Sequence, residues 1–215
     1  MKSVRFIGTN SPLNDIPTAT IQECKAYCES KAVLGVDTET EGFDFTCKKL
    51  IMFQIGDKER QYVIDTREVN IEPLRQVLES EKIVKVFHNA KCDYKFIKMW
   101  AGISVEKVYD TFLAERVLNC GKQDYGYSLA RCTERYLNQT LDKETRNKFI
   151  GLKGQPYTVD QITYGANDVV YLLDIREKQL GLLRSLELEQ VASLENQVVL
   201  VFSEIEYEGL MIDKD

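Results

Sequence analysis

Residues 32–65, AVLGVDTETEGFDFTCKKLIMFQIGDKERQYVID, contain three apolar runs that decide the fold class of this chain. Ala32–Thr38 is a continuous apolar run, which is typical of a strand buried in the centre of a sheet. Leu50–Ile55 and Gln61–Asp65 follow after polar links that contain glycine. The three runs therefore predict strands that form a meander of hairpins.

Further strands and helices are predicted on both sides of this meander. Apolar runs predict strands at Val4–Gly8 and Ile83–Phe87, and a helical period begins beyond Asn89. Capping motifs and helical spacing predict five more helices, which are Thr20–Lys31, Glu72–Glu79, Thr111–Leu118, Ser128–Leu137 and Thr158 to about Leu180. Strands come first and then alternate with helices, so we expect an α/β domain with a mixed sheet.

The composition is that of an ordinary soluble globular protein. The chain has 215 residues, 44% of them hydrophobic and 29% charged, and a formal net charge of −6. This length is enough for one large domain, or for one domain and the edge of another. The negative charge argues against binding nucleic acid by bulk electrostatics, although it allows an enzyme that contacts nucleic acid through metal ions. No apolar run approaches the roughly 20 residues of a membrane helix, so we expect no membrane partner.

The cysteine and histidine content excludes a zinc finger. The six cysteines form no CxxC pair, and the chain has a single histidine. A chain of this length does not need disulfides, and free thiols are typical of the reducing cytosol. We therefore expect a cytoplasmic protein.

Two carboxylates, Asp37 and Glu39, end the most apolar predicted strand. Side chains two residues apart on a strand point to the same face, so both carboxylates project together. Such a pair suits Mg²⁺ or Mn²⁺, because hard divalent cations prefer carboxylate oxygens. Taken alone, however, the pair is explained more simply by a solvated strand end that turns into a loop.

Two further carboxylates lie on predicted helices. Asp93 lies in the first turn of the helix after Ile83–Phe87, where the helix dipole favours an anion and where Asp usually serves as a cap. Asp168 lies inside the long helix, although Asp is a poor residue for a helix interior. Tyr164 precedes it by four residues and shares its helix face. An exposed Asp beside a half-buried Tyr is the alternative here, although apolar residues flank this pair.

Together these residues resemble the motifs of a known enzyme family. VDTET at 36–40, HNAKCD at 88–93 and YGANDVVYL at 164–172 are similar, in this order, to the three exonuclease motifs of the DEDD superfamily of 3′–5′ exonucleases, in its tyrosine form. The similarity covers about residues 1–182, including YDTFLAERVL at 109–118 and YSLARCTERYLNQTLDK at 127–143. The family includes ribonuclease D and the proofreading domain of family A DNA polymerases. Its histidine form is disfavoured, because no histidine directly precedes Asp168.

The resemblance implies a ribonuclease H-like mixed β-sheet flanked by helices, with a metal-dependent site. It implies that Asp37, Glu39, Asp93 and Asp168 hold two divalent cations, Mg²⁺ or Mn²⁺, beside the scissile phosphodiester. One cation would generate hydroxide and the other would stabilise the leaving 3′ oxygen, which releases a nucleoside 5′-monophosphate. Tyr164 would orient the attacking water and would not act as a strong base, since an unperturbed phenol has a pKa of about 10. Without cations the four carboxylates should repel one another, and some of their pKa values should be raised.

Contacts to the terminal nucleotide are also implied by the resemblance. Asn89 and Phe43 would touch it, with Phe43 offering an aromatic face for stacking. His88 would contact a phosphate or ribose, or would be a hydrogen-bonded histidine at a strand end, and the sequence favours neither. Three lysines of the following helix could line a single-strand path, although solvated charge is the commoner explanation. They are Lys91, Lys95 and Lys98.

The C-terminal segment bears on which family member this is. FSEIEYEGLMIDKD at 202–215 is similar to the entry into the polymerase domain of family A DNA polymerases. We therefore predict an exonuclease domain at residues 1–182 and, at 183–215, a helical segment that begins a covalently continuous polymerase domain. A heptad-like seam in this segment alternatively indicates a helix packed back on the domain. Its residues are Val191, Leu194, Val198, Val201 and Ile205.

The expected function is removal of nucleoside 5′-monophosphates from the 3′ end of single-stranded or frayed DNA, as proofreading in a bacterial or phage-infected cell. A free-standing exonuclease similar to ribonuclease D is the alternative within the enzyme class. An inactive module that binds nucleic-acid ends is the alternative outside that class. It is disfavoured because all four acids and Tyr164 are present.

Overall fold

One mixed β-sheet runs through the computed structural model, which describes residues 3–9, 16–120, 122, 125–141, 149, 152 and 154–212. Within these residues the strands are β1 Val4–Ile7, β2 Val33–Thr40, β3 Leu50–Gly56, β4 Gln61–Asp65, β5 Val84–Phe87 and β6 Val108–Asp110. Their order across the sheet is β1-β4-β3-β2-β5-β6.

The strand pairing confirms both the predicted meander and the mixed sheet. β2, β3 and β4 are consecutive antiparallel neighbours. β1 joins β4 in parallel, and β5 and β6 extend the sheet in parallel from β2. β6 has no counterpart in the sequence prediction, because its three residues are too few to show a strand period.

Helices cover both faces of the sheet. Among the described residues they are α1 Ile21–Glu29, α2 Arg75–Leu78, α3 Ala90–Ala101, α4 Thr111–Leu118, α5 Leu129–Leu137, α6 Val159–Ser185 and α7 Glu189–Glu208. Capping boxes at Thr20 and Thr158 begin α1 and α6, as the sequence predicts. The predicted helix Glu72–Glu79 begins as a 3-10 turn, Glu72–Leu74, and continues as α2. None of the described helices is both long enough and apolar enough to span a membrane.

The alternation of side chains along β2 sets which helices lie on each face. Leu34 and Val36 are fully buried in the core layer built with α1, α2 and α3. Gly35 faces α6 instead, because a Cβ at this position would lie 2.5 Å from the carbonyl oxygen of Val169. Side chains at alternate positions share a face, so Asp37 also lies on the side covered by α6.

The last helix, α7, packs against α3, α4 and β6. Its buried side chains are Ala192, Asn196, Val199 and Ser203. The heptad-like seam is not its buried face, since Val191, Leu194, Val201 and Ile205 are all exposed. The division of the chain into residues 1–182 and 183–215 stays a prediction, and residues 213–215 lie outside the described residues.

Candidate active site

Two glycines allow α6 to lie close against the sheet. Besides Gly35, Gly165 of α6 meets β3, where a Cβ would lie 2.6 Å from Nε2 of Gln54. Side chains do not approach their neighbours so closely. An added methyl group at Gly35 would meet backbone and push α6 away from the sheet, and one at Gly165 would force either α6 or the Gln54 side chain to shift. Asp168 lies between the two contact points of α6, at Gly165 and Val169, and is therefore held against β2.

Three carboxylates meet where α6 crosses β2, and we call Asp37, Glu39 and Asp168 the acidic group. One oxygen from each lies within 4.8 Å of the others. Asp168 is 3% exposed, whereas Asp37 and Glu39 are partly buried. Divalent cations bind carboxylate oxygens at about 2.0–2.6 Å, so a single ion could contact all three residues at this spacing. The donor set therefore fits Mg²⁺ or Mn²⁺.

Asp93 reaches the same end of β2 from the opposite face. It lies on α3, is 6% exposed, and accepts a hydrogen bond of 2.5 Å from Oγ1 of Thr38. Burial, and then the charge of Asp37, raise the pKa of the Asp93 carboxyl well above its usual value. The direction agrees with the expectation from the sequence, although burial is a larger cause than the repulsion from Asp37. The structure thus brings three of the four predicted acids together and holds the fourth beside them through Thr38.

Asp110 organises the backbone that carries Asp93, although the sequence alone did not mark it as a site residue. Its carboxylate accepts hydrogen bonds of 2.9 Å from the backbone N–H groups of Asn89, Ala90 and Phe112. It therefore caps α4 and also fixes the turn into α3, where Asn89 has a left-handed backbone with φ 66°. An Asp before a helical run is a recognisable cap. The contact of Asp110 with the start of α3, however, depends on the pairing of β5 with β6, and that pairing has no sequence signal.

Tyr164 lies one turn before Asp168 on α6, as the sequence predicts. Its ring is half-buried and lies against Phe149, with 6.1 Å between the ring centroids. Residues four apart on a helix share a face, so the phenol and the Asp168 carboxylate lie on the same side of α6. The Tyr164 hydroxyl is therefore suitably placed to contact a molecule bound beside Asp168.

The three predicted substrate contacts differ in their surroundings. Phe43 is 86% exposed in the loop after β2, so its ring is available for stacking. Asn89 is exposed at the start of α3. The Nδ1 of His88 lies 2.9 Å from Oγ1 of Thr111, and its ring contacts Phe112 edge-on. These contacts favour a hydrogen-bonded histidine at a strand end.

Ion pairs join the end of α7 to α3, and we call this contact the α3–α7 clamp. Glu206 binds Lys91 and Lys95 at 2.6 and 2.7 Å, and Glu204 binds Lys98 and Tyr94. The three lysines predicted as a single-strand path therefore pair with glutamates of α7. Beside them, Tyr207 of α7 stacks on Phe45 with 5.7 Å between ring centroids, so the clamp also touches the loop that carries Phe43.

Comparison with known proteins identifies relatives of this arrangement. The chain matches a family model described as a 3′–5′ exonuclease over residues 14–183. It is 32% identical over 163 residues to DNA polymerase I of Aquifex aeolicus (strain VF5), a match that covers 75% of this chain and 26% of that protein. It is 29% identical over 162 residues to ribonuclease D of Nitrobacter hamburgensis, covering 74% of this chain and 41% of that protein. The chain thus spans less than half the length of either relative.

A solved structure shows the same fold. The crystal structure of Escherichia coli ribonuclease D, described as an exoribonuclease involved in structured RNA processing, matches with a TM-score of 0.78 and 22% identity. The match covers 95% of this chain and 51% of that one. The expected ribonuclease H-like sheet flanked by helices is confirmed.

Proposed function

This chain belongs to the 3′–5′ exonuclease family, and from that membership we propose that it removes nucleoside 5′-monophosphates from the 3′ end of single-stranded or frayed DNA. Family membership supports exonuclease activity. The DNA substrate and the roles of individual residues are the proposal, and the acidic group is the observation that carries it. Three carboxylates within 4.8 Å suit the charge and the oxygen preference of divalent cations.

The acidic group and Asp93 would hold two divalent cations, Mg²⁺ or Mn²⁺. When bound, such ions supply a hydroxide nucleophile at neutral pH and stabilise charge on the leaving 3′ oxygen. Asp37 and Glu39 approach the site from β2, Asp168 from α6 and Asp93 from α3. Acids on three separate elements can surround a phosphodiester, which a pair on one strand could not do.

Other residues of the chain would orient the reactants. Tyr164 shares a helix face with Asp168, so its hydroxyl would hold the attacking water in line with the phosphorus atom. Phe43 would stack on the terminal base with its exposed ring. Asn89 would contact the terminal nucleotide from the start of α3.

The choice of DNA is supported by the similarity to DNA polymerase I and by the resemblance of the C-terminal segment to the entry into a polymerase domain. Proofreading for a covalently continuous polymerase is part of this proposal. RNA trimming is the second candidate, supported by the similarity to ribonuclease D at nearly the same identity. The two candidates share the site chemistry and differ in the sugar that the site accepts.

Matched DNA and RNA oligonucleotides, labelled at the 5′ end, test the proposal. In Mg²⁺ or Mn²⁺ the DNA should shorten stepwise from its 3′ end and release mononucleotides, and excess chelator should stop the reaction. Faster degradation of the RNA would favour the second candidate. Digestion from the 5′ end, or activity that persists in chelator, would contradict both.

Frayed ends provide a second test. A paired terminal base must leave its stack to reach the site, at a cost of a few kcal/mol. A 3′ mismatch should therefore be removed faster than a matched end of the same duplex. Equal rates on a blunt matched duplex and on single-stranded DNA would argue against the proofreading role.

A further inference from the structure

Gln54 of β3 is buried without hydrogen-bond partners. Its side chain is 0% exposed, and within the described part of the chain neither Nε2 nor Oε1 has a partner. An amide that gives up its hydrogen bonds to water and gains none destabilises the folded protein. Such a group in a folded chain needs an explanation, and one explanation is a ligand that changes its surroundings.

The position of Gln54 is beside the proposed cation site. β3 pairs with β2 so that Gln54 lies directly opposite Asp37. Opposite side chains in an antiparallel pair share a face, with Cβ atoms about 4.5–5.5 Å apart. The amide nitrogen of Gln54 also lies under Gly165, one turn before Asp168. Gln54 therefore lies next to Asp37 and beneath the turn of α6 that leads to Asp168.

We propose that Gln54 is a positioning residue whose Nε2 donates a hydrogen bond to the Asp37 carboxylate when a divalent cation is bound. The inference rests on the cation site of the proposed function. Carboxylates that bind metal ions are themselves oriented by hydrogen bonds, and such supporting partners matter nearly as much as the ligands. Gln54 is too buried to touch substrate, so it acts through Asp37.

A matched pair of substitutions separates this role from a structural one. Gln54→Met keeps the volume of the side chain and removes the unpaired amide. The control is Gln179→Met, because Gln179 is equally buried but its Nε2 donates to the Thr111 carbonyl oxygen and to Glu115, outside the acidic group. In chelator, Gln54→Met should melt at or above the wild-type temperature, whereas Gln179→Met should melt lower.

Cation binding should respond in the opposite sense. In Mn²⁺ titrations followed by the rise in melting temperature, Gln54→Met should need about 10–100-fold more Mn²⁺ than the wild type, and Gln179→Met should need the wild-type amount. Exonuclease turnover of Gln54→Met should fall at limiting Mn²⁺ and recover as Mn²⁺ is raised. A purely structural role for Gln54 predicts no change in the Mn²⁺ requirement.

Each other outcome decides against the inference. Failure of Gln54→Met to fold, a lower melting temperature in chelator, or an unchanged Mn²⁺ requirement would overturn it. Melting temperatures are measured without nucleic acid, so they test the role of Gln54 even if the wild type degrades no oligonucleotide. Such inactivity would overturn the proposed function alone. If the wild type shows no response to Mn²⁺, the cation site fails and this inference fails with it.

Discussion

The acidic group and the α3–α7 clamp differ in how their charged side chains are arranged. The acidic group gathers three carboxylates within 4.8 Å, whereas the clamp sets the lysines of α3 against the glutamates of α7. Like charges this close raise the free energy of the folded chain, and opposite charges lower it. The comparison indicates that the clamp serves the fold, while the acidic group costs stability and is suited to binding a cation.

The most buried acid of the acidic group also differs in exposure from the outer ion pair of the clamp. Asp168 is 3% exposed and is held by the close approach of α6 to β2. In the clamp, the Lys91 and Glu206 side chains are 40% and 38% exposed. Ion pairs that solvent reaches contribute about 0–1 kcal/mol each. Changes in the acidic group should therefore affect chemistry strongly, and changes in the clamp should affect stability weakly.

The largest effect is expected from Asp37→Asn, which neutralises one member of the acidic group. Turnover on single-stranded DNA should fall about a thousandfold, since bound cations supply several kcal/mol of transition-state stabilisation. In chelator the variant should melt at or above the wild-type temperature, because repulsion with its neighbours, Asp93 included, is relieved. The rise in melting temperature on adding Mn²⁺ should be smaller than in the wild type.

Asp174→Asn is the matched control for that change. Asp174 lies on α6 outside the acidic group and binds Lys58 at 2.5 Å. Its loss should leave turnover and the Mn²⁺ response near wild type. If Asp37→Asn melted clearly lower in chelator and gained as much from Mn²⁺ as the wild type, Asp37 would be a structural residue and the comparison of the two regions would break down.

A smaller effect is expected from Tyr164→Phe, which removes the hydroxyl assigned to the attacking water and leaves the carboxylates of the acidic group in place. Turnover should fall about a hundredfold, because a misplaced reactant can lose that much rate. The Mn²⁺ dependence of the melting temperature should stay near wild type, since the phenol is assigned to water and not to a cation. Weaker Mn²⁺ binding, equal to that of Asp168→Ala, would show that this assignment is wrong.

Gly165→Ala tests whether close packing holds the acidic group together. A Cβ would lie 2.6 Å from Nε2 of Gln54, so α6 or Gln54 must shift, at a cost of about 1–3 kcal/mol. Melting temperature and Mn²⁺ affinity should both fall. Gly181→Ala on the same helix meets nothing within 4 Å and should stabilise the protein by up to about 1 kcal/mol. Equal effects of the two changes would count against a packing role for Gly165.

The smallest effect is expected from Glu206→Gln in the clamp. Hydrogen bonds from Lys91 and Lys95 hold the pKa of Glu206 below its usual value. A lowered folded pKa gives stability that is present above the unfolded pKa and is lost as pH falls through the folded pKa. The variant should therefore lose up to about 1 kcal/mol at pH 7, and the loss should vanish in strong acid.

The exposed Glu208, at the end of the same helix, provides the control. Denaturant unfolding of Glu206→Gln and Glu208→Gln at pH 7 and in acid measures the difference. A loss at pH 7 that is the same for both variants would show that the clamp contributes no specific stability.

Much of the fold and part of the site were accessible from local sequence patterns. Apolar runs marked β2, β3 and β4, and the capping boxes marked the starts of α1 and α6. Asp37 and Glu39 could be placed together because the strand period of two is a local property. Tyr164 and Asp168 could be placed together because the helical period is equally local.

Contacts between distant elements were decided by the tertiary structure. Asp93 meets β2 through Thr38, 55 residues earlier in the chain. The choice of packing face on α7 was also tertiary. Asn196 accepts a hydrogen bond from the backbone N–H of Asp110, 86 residues away, and this contact lies on the buried face while the apolar seam stays exposed.

The sequence predicts some of these features and not others because periodicity is a property of one helix or strand, whereas packing involves two of them. A repeat of two or 3.6 residues determines which side chains of one element share a face. It does not determine which face of another element receives them, because that depends on close approach and on hydrogen bonds between residues far apart in sequence. The sequence by itself therefore determined the first five strands, most helices and the acids on β2 and α6. The approach of α6 through two glycines, the placement of Asp93 by Asp110 and Thr38, and the buried face of α7 were decided only in three dimensions.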